Sequence, residues 1–167
     1  MSPLSRPPNA SPRQRGATPR RPAKSRPIPA NTANPFETKT LGEEPDATAP
    51  DGTAVRLLLS LRGGSMAHFE LPAGAVSHAV THRTVEEIWF IVSGCGSIWR
   101  RQDGLERIEA LSRGASLTIP LGTAFQFRAE AGAPLCFVAI TMPPWPGAGE
   151  ALPVPCPWAP TVAAGPA

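Results

Sequence analysis

Residues 74–94 read GAVSHAVTHRTVEEIWFIVSG, and residues 114–129 read GASLTIPLGTAFQFRA. Both stretches alternate apolar and polar side chains, open on a glycine and are broken by short turn-forming groups, the pattern of strands rather than helices. Side chains two apart in a strand share a face. His82 therefore shares a face with Val80 and His78 if residues 76–82 form one strand, Glu87 shares one with Trp89 and Ile91, and Phe125 shares one with Phe127.

Outward from these blocks the pattern repeats. Short apolar runs span Ala54–Leu61, Ser65–Leu71, Val76–His82, Glu87–Val92, Gly96–Arg101, Glu106–Leu111, Ala115–Ile119, Ala124–Arg128 and Leu135–Met142. Turn signals separate them, among them Gly63-Gly64, Pro72-Ala73-Gly74, Arg113-Gly114 and Gly132-Ala133-Pro134. Asp103-Gly104 sits between two such runs and predicts a tight hairpin. So many short strands at near-regular spacing predict an all-β sandwich or closed barrel.

Proline marks where that domain ends. Of 22 prolines, 11 lie in residues 1–50, 3 in 51–142 and 8 in 143–167. The expectation is a disordered tail over 1–50, a barrel over 51–142, and a Pro-rich segment over 143–167 that uses Trp145 and Trp158 to pack on the barrel or on a second subunit. The net charge of +3 hides an asymmetry, because residues 1–40 carry six Arg and two Lys against Glu37, a balance of +7. No aromatic or helical pattern accompanies that charge, so a solvated tail is expected in preference to a nucleic-acid or membrane arm. No apolar stretch follows Arg20-Arg21 as a secretion signal would require, and no run is long enough to span a bilayer. Cys95, Cys136 and Cys156 are odd in number and lack C-x-x-C spacing, which predicts reduced, buried thiols and a cytoplasmic protein.

The two opening blocks resemble the paired motifs of the cupin superfamily. In the first motif a glycine is followed by H-x-H, a glutamate and a second glycine, and Gly74, His82, Glu87 and Gly94 fall on it. In the second, Gly114, Pro120 and Gly122 fall on the family's G and P-x-G. Three family positions are replaced: the first histidine by Val80, the last histidine by Phe125 and the asparagine by Ala129. The resemblance implies a double-stranded β-helix, or jelly-roll barrel, over about residues 60–142, with Gly74, Gly94, Gly114 and Gly122 at turns, and a homodimer, which would also protect exposed strand edges.

It also implies where a site would lie. A complete cupin site holds Fe, Mn, Zn, Ni or Cu on three imidazoles and a carboxylate, and here only His82 and Glu87 remain. His78 is the candidate third metal ligand, but in an extended strand it stands about 13 Å from His82, so a bulge would be needed; His68 is a further candidate. With the shell incomplete, a metal-free cavity is expected, walled by Val80, Trp89, Ile91, Phe125 and Phe127, holding a small, partly apolar molecule. His82 and Glu87 are then candidate catalytic residues, the carboxylate raising the imidazole pKa, as in metal-free cupins such as sugar-nucleotide epimerases. Two other readings stay open: a metal-dependent isomerase, cyclase or oxygenase, and a non-enzymatic sensor or structural module using its basic tail for docking.

Overall fold

The computed structural model describes residues 36–166, and every helix-or-strand element in that span is a strand. In chain order they are β1 (Ala47–Thr48), β2 (Ala54–Leu61), β3 (Gly64–Leu71), β4 (Val80–His82), β5 (Glu86–Ser93), β6 (Cys95–Gln102), β7 (Leu105–Ser112), β8 (Ser116–Ile119), β9 (Ala124–Ala129), β10 (Leu135–Met142) and β11 (Ala151–Pro153). They form two antiparallel sheets, ordered β1-β2-β3-β10-β5-β8 and β11-β4-β9-β6-β7. From β3 onward nearly every connection carries the chain from one sheet to the other, which gives the jelly-roll architecture. Among the described residues no helix is long and apolar enough to cross a membrane.

Eight of the nine expected strands agree with the structure to within one residue at each end. The hairpin at Asp103-Gly104 has φ of 51° and 78°, the paired left-handed conformation that a two-residue turn of this kind requires. Gly94 has φ of 78°, and a Cβ there would lie 2.1 Å from the Pro134 carbonyl oxygen, so no other residue fits.

The ninth expectation, a strand over Val76–His82, holds only for Val80–His82, with Val76 in an isolated bridge to Arg128. The intervening backbone bonds to three separate neighbours in place of one ladder. Ser77 N–H donates to Phe127 O (2.9 Å), His78 N–H donates to Asp51 O (2.8 Å), and Ala79 O accepts from Val154 N–H (3.0 Å).

The tail boundary at residue 50 is also corrected. Up to residue 35 the expected tail lies outside the described residues, but Ala47 and Thr48 pair with Val55 and Ala54, and the Asp46 carboxylate accepts from Leu57 N–H (2.7 Å). These residues are part of the barrel. Their signal was missed because a two-residue strand shows no periodicity.

Between the sheets Leu71, Ile91, Phe127, Leu135 and Phe137 are buried almost completely. A second apolar cluster, Ala79, Trp99 and Ala124 with Val154 and Trp158, lies on the other face of the five-stranded sheet. Gln126, which alternates with the inward-facing Phe125 and Phe127, lies on that outer face and is sealed there by the C-terminal segment. Its Nε2 donates to Ser77 O (2.7 Å) and Trp158 O (2.9 Å), and its Oε1 accepts from Trp158 N–H (3.0 Å). The Arg128 guanidinium stacks 4.5 Å above the Trp158 ring. Cys95 and Cys156 are exposed and Cys136 is half-buried, so the expected burial of all three does not hold.

Candidate functional site

One end of the barrel is hollow. A cavity of about 550 Å³ opens there, with Val80, His82, Glu87, Trp89, Phe125 and Phe69 on its walls. The strands explain the arrangement. β4 brings Val80 and His82 inward, and the turn over Arg83–Val85 returns the chain into β5 with Glu87 and Trp89 facing the same space. Glu150 fastens that turn, its carboxylate accepting from Thr84 N–H (2.6 Å), Thr84 Oγ1 (2.7 Å) and Val85 N–H (2.9 Å). Burial pushes the Glu150 carboxyl up, but these bonds and the nearby His82 outweigh it and leave the group below its ordinary range.

His82 Nδ1 and Glu87 Oε1 stand 4.0 Å apart, with both side chains nearly buried. Among the described residues Nδ1 is buried without a hydrogen-bond partner, while Glu87 Oε2 accepts from Trp89 Nε1 (2.6 Å). The imidazole lies edge-on between Phe125 and Trp145, each ring centre 5.3 Å away. Those apolar neighbours decide its charge. Burial lowers the His82 pKa to about 4, with Glu150 acting weakly in the opposite sense. The expectation that a carboxylate would raise it is thereby corrected: Glu87 is itself desolvated. Its pKa is lifted to about 7 by burial, against the Trp89 hydrogen bond and with a further push from Asp51. Near neutral pH the pair is an uncharged imidazole beside a carboxyl group divided between its two forms, not an ion pair.

Of the expected lining residues, Val80, Trp89 and Phe125 face the cavity and Ile91 and Phe127 do not. The latter two lie one strand repeat deeper in the packed core, where Phe127 meets Trp89 and Phe137 edge-on. Asp51 and Trp145 also line the cavity, together with Ser65 and Thr141, whose hydroxyls are 2.6 Å apart. Asp51 is buried, accepts from Thr53 N–H (2.9 Å) and Thr53 Oγ1 (2.6 Å), and is held above the usual carboxylate range by that burial. In sequence, Pro50-Asp51-Gly52 reads as a turn, and nothing local marks Asp51 as a cavity residue.

The family's metal does not fit this donor set. Its two missing histidine positions are the buried apolar side chains Val80 and Phe125. His78 is not brought to the site, because its Nε2 is bonded to Val162 O (2.9 Å) in the C-terminal segment. His68 sits between Ala67 and Phe69, which face the cavity, so strand alternation turns it to the opposite side of the sheet. Among the described residues no three His, Cys, Asp or Glu side chains are placed to hold a metal ion.

No protein-family model matches the sequence, and no curated protein matches it. Solved structures do. A cupin protein from Bacteroides fragilis matches with a TM-score of 0.51 at 26% identity, over 66% of this chain and 86% of that one. This chain is a cupin by fold. The oxalate decarboxylase of Bacillus subtilis matches this cupin with a TM-score of 0.60 at 12% identity, over 76% of this chain and 35% of that one. The coconut allergen cocosin matches with a TM-score of 0.54 at 22% identity, over 62% of this chain and 30% of that one. This cupin thus spans only a minor part of those two longer chains, and its likeness to them is one of fold.

Proposed function

We propose that this cupin binds a small, largely apolar, uncharged organic molecule in its barrel cavity, with His82 and Glu87 holding the molecule's polar group. The observation that carries this reading is the pairing of about 550 Å³ of apolar-walled space with two polar atoms 4.0 Å apart that do not bond to each other. Small-molecule pockets combine an apolar lining with a few placed polar groups in this way. A hydroxyl or amine that reaches between them as the imidazole turns to open the buried Nδ1 donates to His82 and meets Glu87 Oε1.

Charge narrows the class. Among the described residues Asp51 and Glu87 both line the cavity, and no Lys or Arg does. A carboxylate or phosphate ligand would meet repulsion with no counter-charge, whereas a neutral alcohol or amine would not. The carboxyl of Glu87 and the imidazole of His82 are also placed to exchange a proton with such a group, which leaves acid–base chemistry open to this pair.

A thermal-shift screen of uncharged cyclic alcohols and ketones against their carboxylic-acid counterparts tests the reading. Neutral compounds should stabilise the protein, by about 2.7 kcal/mol at a hundredfold excess over Kd, and the His82→Ala/Glu87→Gln double variant should lose most of that shift. Stabilisation by the anions alone, or a full shift retained in the double variant, would overturn it.

A further inference from the structure

β7 is the last strand of the five-stranded sheet, so its outer edge has no strand against it among the described residues. It runs eight residues, and Leu105 and Ile108 on it are 57% and 59% exposed. Though Glu106, Arg107 and Glu109 charge it, an open eight-residue edge presents unpaired N–H and C=O groups that another strand can take up.

Its backbone pattern can be read from the hairpin. The turn at Asp103-Gly104 closes on the pair Gln102 and Leu105. A two-residue turn makes that first pair a hydrogen-bonded one, and the pairs alternate from there. Leu105, Arg107, Glu109 and Leu111 thus turn their N–H and C=O toward β6, while Glu106, Ile108 and Ala110 turn theirs to the open edge.

We infer that β7 pairs antiparallel with β7 of a second copy of this chain, about a two-fold axis through Ile108. In that register Ile108 faces itself and Glu106 faces the partner's Ala110, so all three outward residues fall in hydrogen-bonded pairs. Arg107 faces the partner's Glu109, and Glu109 faces the partner's Arg107. The neighbouring registers of the same parity, centred on Arg107 or on Glu109, set Arg107 against itself or Glu109 against itself. Like charges directly opposite are destabilising, which selects the Ile108-centred register.

Arg107 also lacks a counter-charge at home. Its cross-strand neighbour in β6 is another cation, Arg100, and Arg100 is the one that binds Glu109. Among the described residues Arg107 makes no ion pair. A symmetric partner supplies the missing carboxylate twice, once for each copy, and an isologous interface of this form closes as a dimer.

Sedimentation equilibrium of the full chain tests this, and two charge reversals make the register visible. The wild-type protein should be dimeric at about 100 µM. Arg107→Glu sets two carboxylates against Glu109, and Glu109→Arg sets two cations against Arg107, so each variant alone should dissociate at least about tenfold more readily. Mixed one to one, they restore opposite charges at both positions and should form a heterodimer. Ile108→Pro removes only an N–H that points away from β6, so it should yield a folded monomer with unchanged circular dichroism. A monomeric wild-type chain, or a dissociation constant unchanged from wild type in Arg107→Glu or in Ile108→Pro, would overturn the inference. So would charge-reversed variants that fail to recover a dimer on mixing.

Discussion

The two ends of this barrel are built from the same strands and differ in what fills them. Trp89 and Ile91 lie two residues apart on one face of β5, and Phe125 and Phe127 lie two apart on one face of β9. One step of about 6.6 Å along either strand passes from cavity wall to solid core. At the deep end Leu71, Ile91, Phe127 and Leu135 interlock with no exposed surface. At the other end small residues, Ala139, Gly147 and Ala148, leave space beside His82 and Glu87. Period two settles which face a side chain occupies, but depth along the barrel is settled by the partners it meets there.

The largest effect expected from this contrast is at the packed end. Phe127→Ala should cost about 3–5 kcal/mol in a urea melt, since the hole it leaves is walled by Trp89 and Phe137 and cannot collapse. A loss below about 1 kcal/mol would mean that the deep end is not packed as described.

Glu87 offers a somewhat smaller effect with a pH signature. Its folded pKa of about 7 lies above the ordinary 4.5, so the folded state holds the proton more tightly. Stability from this group is present below pH 4.5, declines as pH rises toward 7, and beyond that leaves a penalty of roughly 3 kcal/mol. His82 acts in the opposite sense. Its folded pKa of about 4 is depressed from 6.5, so its contribution is present above pH 6.5 and lost as pH falls toward 4. Glu87→Gln removes the first dependence and keeps the second. Relative to wild type it should therefore gain up to about 3 kcal/mol between pH 5 and pH 8, measured by denaturant melts at each pH. A difference between the two proteins that does not change with pH would contradict the desolvated carboxyl.

Much of this was legible in the residues. The strands between Ala54 and Met142 carry strong alternation bounded by Gly and Pro, so their places and facing could be read directly, as could the approach of His82 to Glu87 across a short turn. Contacts made by chain distant in sequence were not legible. His78 was lost to the Val162 carbonyl, Gln126 was sealed by Trp158, and Glu150 was drawn to the β4–β5 turn, all by the C-terminal segment. That segment has no periodicity, and its prolines suppress any strand signal. The charge state of His82 was misread for a related reason: a neighbouring carboxylate counts for little when it is desolvated as well, and the rings of Phe125 and Trp145 that enclose the imidazole come from chain 43 and 63 residues further on.

The hollow end is tested most directly by titrating the protein with N-phenyl-1-naphthylamine, an uncharged fluorophore with one N–H, beside its sulfonated analogue. Ala148→Trp serves as control, because it places a large side chain at an exposed position on the cavity lining without disturbing the core. One-to-one binding of the neutral probe, at least tenfold tighter than the sulfonate and lost in Ala148→Trp, is the result expected of an apolar cavity lined by carboxylates. Equal binding of both probes, or binding unaffected by Ala148→Trp, would contradict it.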